Sequence, residues 1–368
     1  MSNYPDIFKT YPAVYAVRDR YVIIVAVNEP CTMWVKVGEN EYFDDSNGIL
    51  RTSSLTHKIE VPASELDAAK EYTVYFRKVI ERKPYFSELD EVGEFTASFR
   101  PVEGDNIRIF HIADAHNRID GPVSAAKADG EHDLLILNGD IPNHSGKIEY
   151  FAAIHCIAGE ITKGEYPVIF SRGNHDMRGI YAECIQDHTP TDNGNSYFSV
   201  RVGSLWALVL DCGEDKPDTN AEYGHTICCA NFRARQTKYI ENIIKNAENE
   251  YDAEGIKYKM VISHIPFNLH YNPPFNIEED RYAYWCKLLA ENVKPDLMLC
   301  GHVHYCRVFK QTDETREAGQ PCAMVTASKP FKGEENIVCG SLNFEENTCK
   351  VKFIDSNGDI HGEDVIEF

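Results

Sequence analysis

Seven side chains in five short fragments could together do metal-assisted chemistry: Asp114-Ala115-His116, Gly139-Asp140, Gly173-Asn174-His175-Asp176, His264, and Gly301-His302-Val303-His304. The metal-ligand types among them are Asp114, His116, Asp140, Asn174, His264, His302 and His304. Two carboxylates, an amide and four imidazoles, with no thiolate, form a nitrogen and oxygen set suited to Mn, Fe or Zn in catalytic sites. Two cations held by seven such ligands, one carboxylate bridging, leave positions open for water and substrate. Cations ~3.5–4 Å apart stabilise both the attacking and the leaving oxygen of a phosphoryl displacement.

Each fragment alone is weak. A lone Asp-x-His or His-x-His is more often an accident of core or surface. Gly173-Asn174-His175 could equally be a turn with Gly and Asn at positive φ. Their shared placement carries the argument. The fragments follow the apolar runs Ile107–Ala113, Asp133–Asn138, Val168–Ser171, Lys259–Ser263 and Leu297–Cys300. Such runs read as strands, and strand ends of an α/β sheet converge on one rim where ligands bind.

Strands and helices alternate over this part of the chain. Leu205–Asp211 is a further strand, and Asn231–Glu250 is the clearest helix, with Phe232, Tyr239, Ile240, Ile243 and Ala247 at three- and four-residue steps. Strands dominate again from Tyr305 to the end, at Cys306–Gln311, Ala323–Ala327, Asn336–Gly340 and Thr348–Ile354. Up to about residue 100 the chain reads as strands only: Tyr21–Val27, Cys31–Val37, His57–Val61, Glu71–Ile80 and Gly93–Arg100. That spacing predicts an all-β sandwich over 1–103 and an α/β unit over 104–368, with the punctuated stretch from Arg100 to Asp105 between them.

The chain has 368 residues, 43 % of them apolar, and a net charge of −21. That charge argues against nucleic acid, whose affinity rests on phosphate contacts. No apolar stretch reaches the ~20 residues of a membrane span, and no secretory signal opens the sequence. The twelve cysteines show no Cys-x-x-Cys pair, and Cys31, Cys156, Cys286 and Cys300 sit in apolar runs. Reduced, buried thiols in a cytoplasmic protein are expected, with Cys228-Cys229 a matter of packing. His111 is expected to be a hydrogen-bonded core imidazole, and the acidic run Glu248–Glu254 a solvated helix end. Asn143 and His144, just beyond Asp140, lie close enough in sequence to reach a substrate.

The five fragments, in this order, resemble the ordered signature of the calcineurin-like metallophosphoesterase superfamily. The resemblance implies a double β-sheet sandwich flanked by helices. It also implies a ligand allocation: Asp114, His116 and His304 on one metal, Asn174, His264 and His302 on the other, and Asp140 bridging. A metal-bridging hydroxide is then the expected nucleophile. His175 is the candidate general acid, with Asp176 fixing its tautomer, or else a supporting histidine behind the ligands. Arg172 resembles the phosphate-binding arginine of protein Ser/Thr phosphatases, or else pairs with a carboxylate; Arg178 is a further phosphate-binding candidate beside Asn174.

The N-terminal β unit resembles the layout of purple acid phosphatases, as do Leu210–Asp215, Tyr223-Gly224 and Phe232–Gln236. Two departures separate the chain from them: Asn143 stands where they carry a tyrosine, and Asp114-Ala115-His116 replaces Asp-x-Gly. The sequence therefore resembles a bacterial purple-acid-phosphatase-like branch with a fibronectin-like β domain. Its purple charge-transfer band is expected to be absent. The expected substrate is a phosphomonoester or phosphodiester of modest size. A non-catalytic scaffold and a nuclease are the alternatives.

Overall fold

A computed structural model describes residues 3–45, 48–311 and 319–368. In its first part run β1 (Ala13–Val17), β2 (Arg20–Ala26), β3 (Cys31–Val37), β4 (Asn40–Phe43), β5 (Thr56–Pro62), α1 (Ala63–Ala69), β6 (Glu71–Arg82), β7 (Ser87–Leu89) and β8 (Gly93–Ser98). There follow β9 (Ile107–Ile112), α2 (Asp120–Asp129), β10 (Leu134–Asn138), α3 (Ala152–Thr162), β11 (Val168–Ser171), β12 (Phe198–Val202), β13 (Leu205–Leu210) and α4 (Cys229–Lys245). The last part holds β14 (Tyr258–Ser263), α5 (Glu279–Leu288), β15 (Leu297–Cys300), β16 (Arg307–Phe309), β17 (Ala323–Thr326), β18 (Ser328–Pro330), β19 (Ile337–Glu345), β20 (Thr348–Asp355) and β21 (Ile360–Glu367).

Two sheets make the main body of the chain. One is ordered β21-β20-β19-β9-β10-β11-β1-β2-β5, with β18 on β19; the other is β12-β13-β14-β15-β17-β16. The second shows why its strands read as continuous apolar runs. Leu205, Ala207, Val209, Met260, Ile262, Leu297 and Leu299 face the core between the sheets. Trp206, Leu208, Leu210, Val261, Met298 and Cys300 face the opposite way, into a core they share with residues of α4 and α5. Strand alternation with both faces covered leaves no polar side to the pattern. This is the mixed α/β double-sheet architecture that the motif order implied.

The first hundred residues differ in two respects from an all-strand, separate sandwich. Helix α1 caps the turn between β5 and β6, although its seven residues, ASELDAA, are too few to show a helical period. Strands β3, β4, β6, β7 and β8 form their own sheet, but β1, β2 and β5 belong to the long sheet that also holds β9, β10 and β11. The junction is a parallel pairing of β1 with β11, Tyr15 opposite Val168. A boundary at residue 103 therefore divides the chain and not the hydrogen-bonded sheet. Glu250 ties the end of β1 to the second sheet as well. It is buried, not solvated as expected for a helix end, and its carboxylate pairs with Arg18 at 2.9 Å and accepts from Ser199 Oγ and Trp206 Nε1.

Among the described residues no helix is long and apolar enough to cross a membrane. All twelve cysteines are free thiols. Cys229 is buried as expected, but Cys228 is exposed, so packing does not account for it.

Candidate metal centre

The C-terminal ends of β9, β10 and β11 in one sheet, and of β14 and β15 in the other, meet at one rim. Hydrogen bonds across the rim tie the sheets together beneath the site. Asn138 Nδ2 donates to Leu299 O at 3.0 Å, and the His302 amide to Asp114 Oδ2 at 2.8 Å. His264 Nδ1 lies 2.7 Å from Asn138 O, which fixes the proton on Nδ1 and turns Nε2 toward the carboxylates.

The chain bends sharply as it leaves β9, β10 and β15. Asp114, His116, Asp140, His302 and His304 all have positive φ, from 47° to 69°. Non-glycine residues held there cost on the order of 1–3 kcal/mol each, and such outliers concentrate at functional sites. The glycines solve a different problem. A Cβ on Gly173 would lie 2.2 Å from Asp140 Oδ1, and one on Gly301 would lie 2.5 Å from Ala113 Cβ. Gly173 is thus required for close approach and not for a positive-φ turn; Asn174 is helical, with φ −75°.

The structure brings the candidate ligands together in two groups, with the donor atoms of each within 4.8 Å of one another: Asp114, His116 and His304, and Asp140, His264 and His302. In the first, His304 Nε2 is 3.1 Å from Asp114 Oδ1 and 3.3 Å from His116 Nε2. In the second, His264 Nε2 is 3.2 Å from Asp140 Oδ2, yet makes no hydrogen bond. The two groups adjoin, since the same His264 Nε2 is 3.8 Å from Asp114 Oδ1. Asn174 Oδ1 joins the second group, 3.1 Å from His302 Nδ1.

Asp114 and Asp140 are buried, and the neighbouring imidazoles hold both carboxyls below the usual carboxylate range against the opposing effect of burial. Burial also opposes a charge on His264, but Asp140 and Asp114 raise it to about 10. Burial lowers His116 and His302 to about 4, leaving both rings neutral and able to donate a lone pair. A buried imidazole nitrogen facing two buried carboxylates at 3.2 and 3.8 Å, beside neutral imidazoles, is a donor set that fits divalent cations.

His175 lies between the groups, within 4.8 Å of donor atoms of His116 and Asp140. Its tautomer is not set by Asp176, as the sequence suggested. The Asp176 carboxylate accepts from the backbone amides of Asp140 (3.0 Å) and Gly173 (2.6 Å), and burial beside Asp140 raises it to about 7. His175 Nδ1 instead donates to Asn143 O at 2.7 Å, and Arg178 Nη1 lies 3.0 Å from Nε2. Asn143 thus reaches the site through its carbonyl, whereas His144 Nδ1 turns back to accept from the Gly146 amide. His111 is fully buried with neither ring nitrogen hydrogen-bonded, and burial lowers it to about 3; it is a core residue but not a hydrogen-bonded one.

The two arginines are anchored by the segment after β13. Arg172 Nε donates to buried Asp211 at 2.6 Å while its guanidinium lies over Phe232. Arg178 makes a two-pronged pair with Glu214, at 2.8 and 2.9 Å. Gln236 Oε1 accepts from the Asp211 amide, and Arg233 Nη1 donates to Cys212 O. These contacts explain why α4 buries the polar residues Arg233 and Gln236. Sequence reasoning missed Asp215, whose Oδ2 is 3.9 Å from His302 Nε2. Its only signal was proximity to Glu214 in the stretch Leu210–Asp215.

Comparison with known proteins places this geometry. No curated protein sequence matches the chain. Among solved structures, purple acid phosphatase PPD1 from yellow lupin (Lupinus luteus) superposes with a TM-score of 0.63 at 12% identity, covering 97% of this chain and 74% of that one. A structure titled PhoD superposes with a TM-score of 0.59 at 11% identity, covering 100% of this chain and 90% of that one. At such identities these likenesses show the shared fold. The sequence model of calcineurin-like phosphoesterases matches residues 107–306, which span β9 to the residues after His304 and include every candidate ligand, and this chain belongs to that family.

Proposed function

We propose that the chain is a dinuclear metal-dependent hydrolase of a phosphomonoester or phosphodiester of modest size. The observation that carries the reading is the pair of adjoining donor groups, Asp114–His116–His304 and Asp140–His264–His302, at the meeting ends of two sheets. Asp114, His116 and His304 would hold one cation, and Asn174, His264 and His302 the other. Asp140, central to the second group and to the one containing His116 and His175, would bridge them. When bound, the pair of cations, Mn or a mixed Fe/Zn or Fe/Mn pair, supplies charge to the phosphoryl oxygens and a water nucleophilic near neutral pH.

The chain's own residues do the rest. His175 has a proton fixed on Nδ1 by Asn143 O, so Nε2 is the atom that takes and gives the mobile proton. Once Arg178 Nη1 has moved from Nε2 to the substrate, Nε2 would take a proton from solvent and, as general acid, deliver it to the leaving oxygen. Arg172 is aligned through Nε by Asp211 and would clamp phosphate with the remainder of its fork. Asp176 is a positioning residue, because it grips the backbone at Asp140 and Gly173. Both arginines that approach the site are tied to carboxylates, which favours a small ester over a nucleic acid. Free thiols throughout favour a reducing, cytoplasmic setting.

The test is reconstitution with Mn²⁺, Fe²⁺ or Zn²⁺, followed by elemental analysis and turnover of p-nitrophenyl phosphate against bis-p-nitrophenyl phosphate. About two metal ions per chain and a clear preference for one ester class are expected. A chain that binds no metal under any of these conditions would overturn the proposal.

A further inference from the structure

A cavity of about 220 Å³ opens beside the second ligand group. Its walls are apolar and aromatic, including Phe267, Leu269, Tyr271, Phe275, Ile277 and Tyr282. It is continuous with the candidate metal centre, because His302 and its neighbour Asp215 line it too. Its other polar lining includes Glu279, Asp280 and His270, and no lysine or arginine lines it among the described residues. Arg307 lines only the adjoining hollow, which shares Leu269, His270, Tyr271, Phe275 and His302 with this cavity, and two further basic groups close by are engaged with carboxylates. Lys216 pairs with Glu222 at 2.7 Å and Asp215 at 3.5 Å, and Arg178 with Glu214 at 2.8 Å.

From this arrangement we infer that the cavity receives the alcohol portion of the ester, and that this portion is a compact apolar group without negative charge. Three features lead there. A phosphoryl group seated at the ligand groups would lie next to His302, so its ester substituent has the cavity as its neighbour. The apolar wall rewards burial of an aryl or branched alkyl group, and aromatic side chains offer edge and face contacts to a ring. The acidic lining, with no lysine or arginine in it, repels a carboxylate or a second phosphate on the substituent, because a buried charge needs a partner. The volume, below the ~300–1,000 Å³ of larger ligand pockets, fits one ring or a short chain.

This inference rests on the phosphoesterase reading above, and the experiment separates the two. Metal-loaded protein is titrated calorimetrically with methylphosphonate, benzylphosphonate and 4-carboxybenzylphosphonate, which bind without turnover. Benzylphosphonate should bind about tenfold or more tightly than methylphosphonate, from burial of its ring. The 4-carboxy compound should lose that gain. Ala283 lines the cavity on the exposed side of α5, so its replacement should leave the fold intact. A283F, which fills the space, should abolish the benzyl advantage while leaving methylphosphonate binding unchanged. A283R, which adds a cation, should restore affinity for the 4-carboxy compound. Equal binding of methyl- and benzylphosphonate, or a benzyl advantage that survives A283F, would overturn the inference and leave the metal-centre reading standing. Failure of every phosphonate to bind metal-loaded protein would refute that reading, and the inference with it.

Discussion

Replacing Gly173 by alanine probes how tightly the backbone fixes the proposed bridging ligand. The added methyl carbon would lie 2.2 Å from Asp140 Oδ1 and 2.4 Å from the Asp140 backbone nitrogen. The first atom belongs to a carboxylate already held by the His175 amide at 2.8 Å, and the second is main chain. Neither yields cheaply, and separation to ordinary contact requires a shift of roughly 1 Å. Overpacking of this kind destabilises a fold by about 1–3 kcal/mol, so G173A should still fold. A misplacement of about 1 Å at a catalytic constellation costs on the order of 100-fold in rate. The expected outcome is therefore a folded protein with weakened retention of both metals and kcat/KM lowered about 100-fold. Urea unfolding, elemental analysis after dialysis, and turnover of an aryl phosphate measure the three quantities. Full metal retention with turnover within a few-fold of the parent would show that Asp140 is not held as the structure indicates.

Three further outcomes are expected. H175A should keep its metals but lose roughly 10²–10⁴-fold in turnover of alkyl phosphates, and much less with p-nitrophenyl phosphate, whose leaving group needs no proton; equal losses on both would remove the general-acid role. R172A leaves buried Asp211 without its guanidinium partner, a loss worth about 3–5 kcal/mol; adding Asp211→Asn should recover part of it, and simple additivity in urea unfolding would show that the pair is not coupled. His155 is buried and neutral, with Nε2 2.8 Å from His188 O and Nδ1 3.0 Å from Tyr15 Oη, and burial lowers its pKa to about 3. Below the ordinary histidine range the unfolded chain binds a proton that the folded chain refuses. His155 therefore subtracts stability as pH falls from about 6.5 toward 3, about 2 kcal/mol of it by pH 5. Between pH 8 and 5 H155Q should lose less stability than the parent, and identical pH slopes would contradict the assignment.

The extent to which the sequence revealed this protein follows from where the physics is local. Buried strands such as Val168–Ser171 and Leu297–Cys300 have the predicted bounds because strand propensity and burial act together there. That the five fragments converge was legible because each directly follows its strand and the strand ends share one rim. β1 was not found, since its five residues, AVYAV, form too short a run to stand out despite their two valines and tyrosine, and the pairing with β2 and β11 that holds them is not named by the local sequence. The same non-local pairing draws β1, β2 and β5 into the long sheet. Asp176 was misread for a related reason. Adjacency to His175 suggested a side-chain bond, but the turn directs its carboxylate to two backbone amides and leaves the histidine to Asn143 O. Glu250 looked like a solvated acid because its partners, Arg18 and Ser199, lie far away in sequence.

The central claim is that two cations share Asp140. Electron paramagnetic resonance of the Mn²⁺-reconstituted protein, with elemental analysis of the same sample, tests it most directly. About two Mn²⁺ per chain giving an exchange-coupled spectrum, replaced in Asp140→Ala by metal loss and an isolated-ion signal, is the result expected. A single Mn²⁺ per chain, or a coupled spectrum unchanged in Asp140→Ala, would contradict the account.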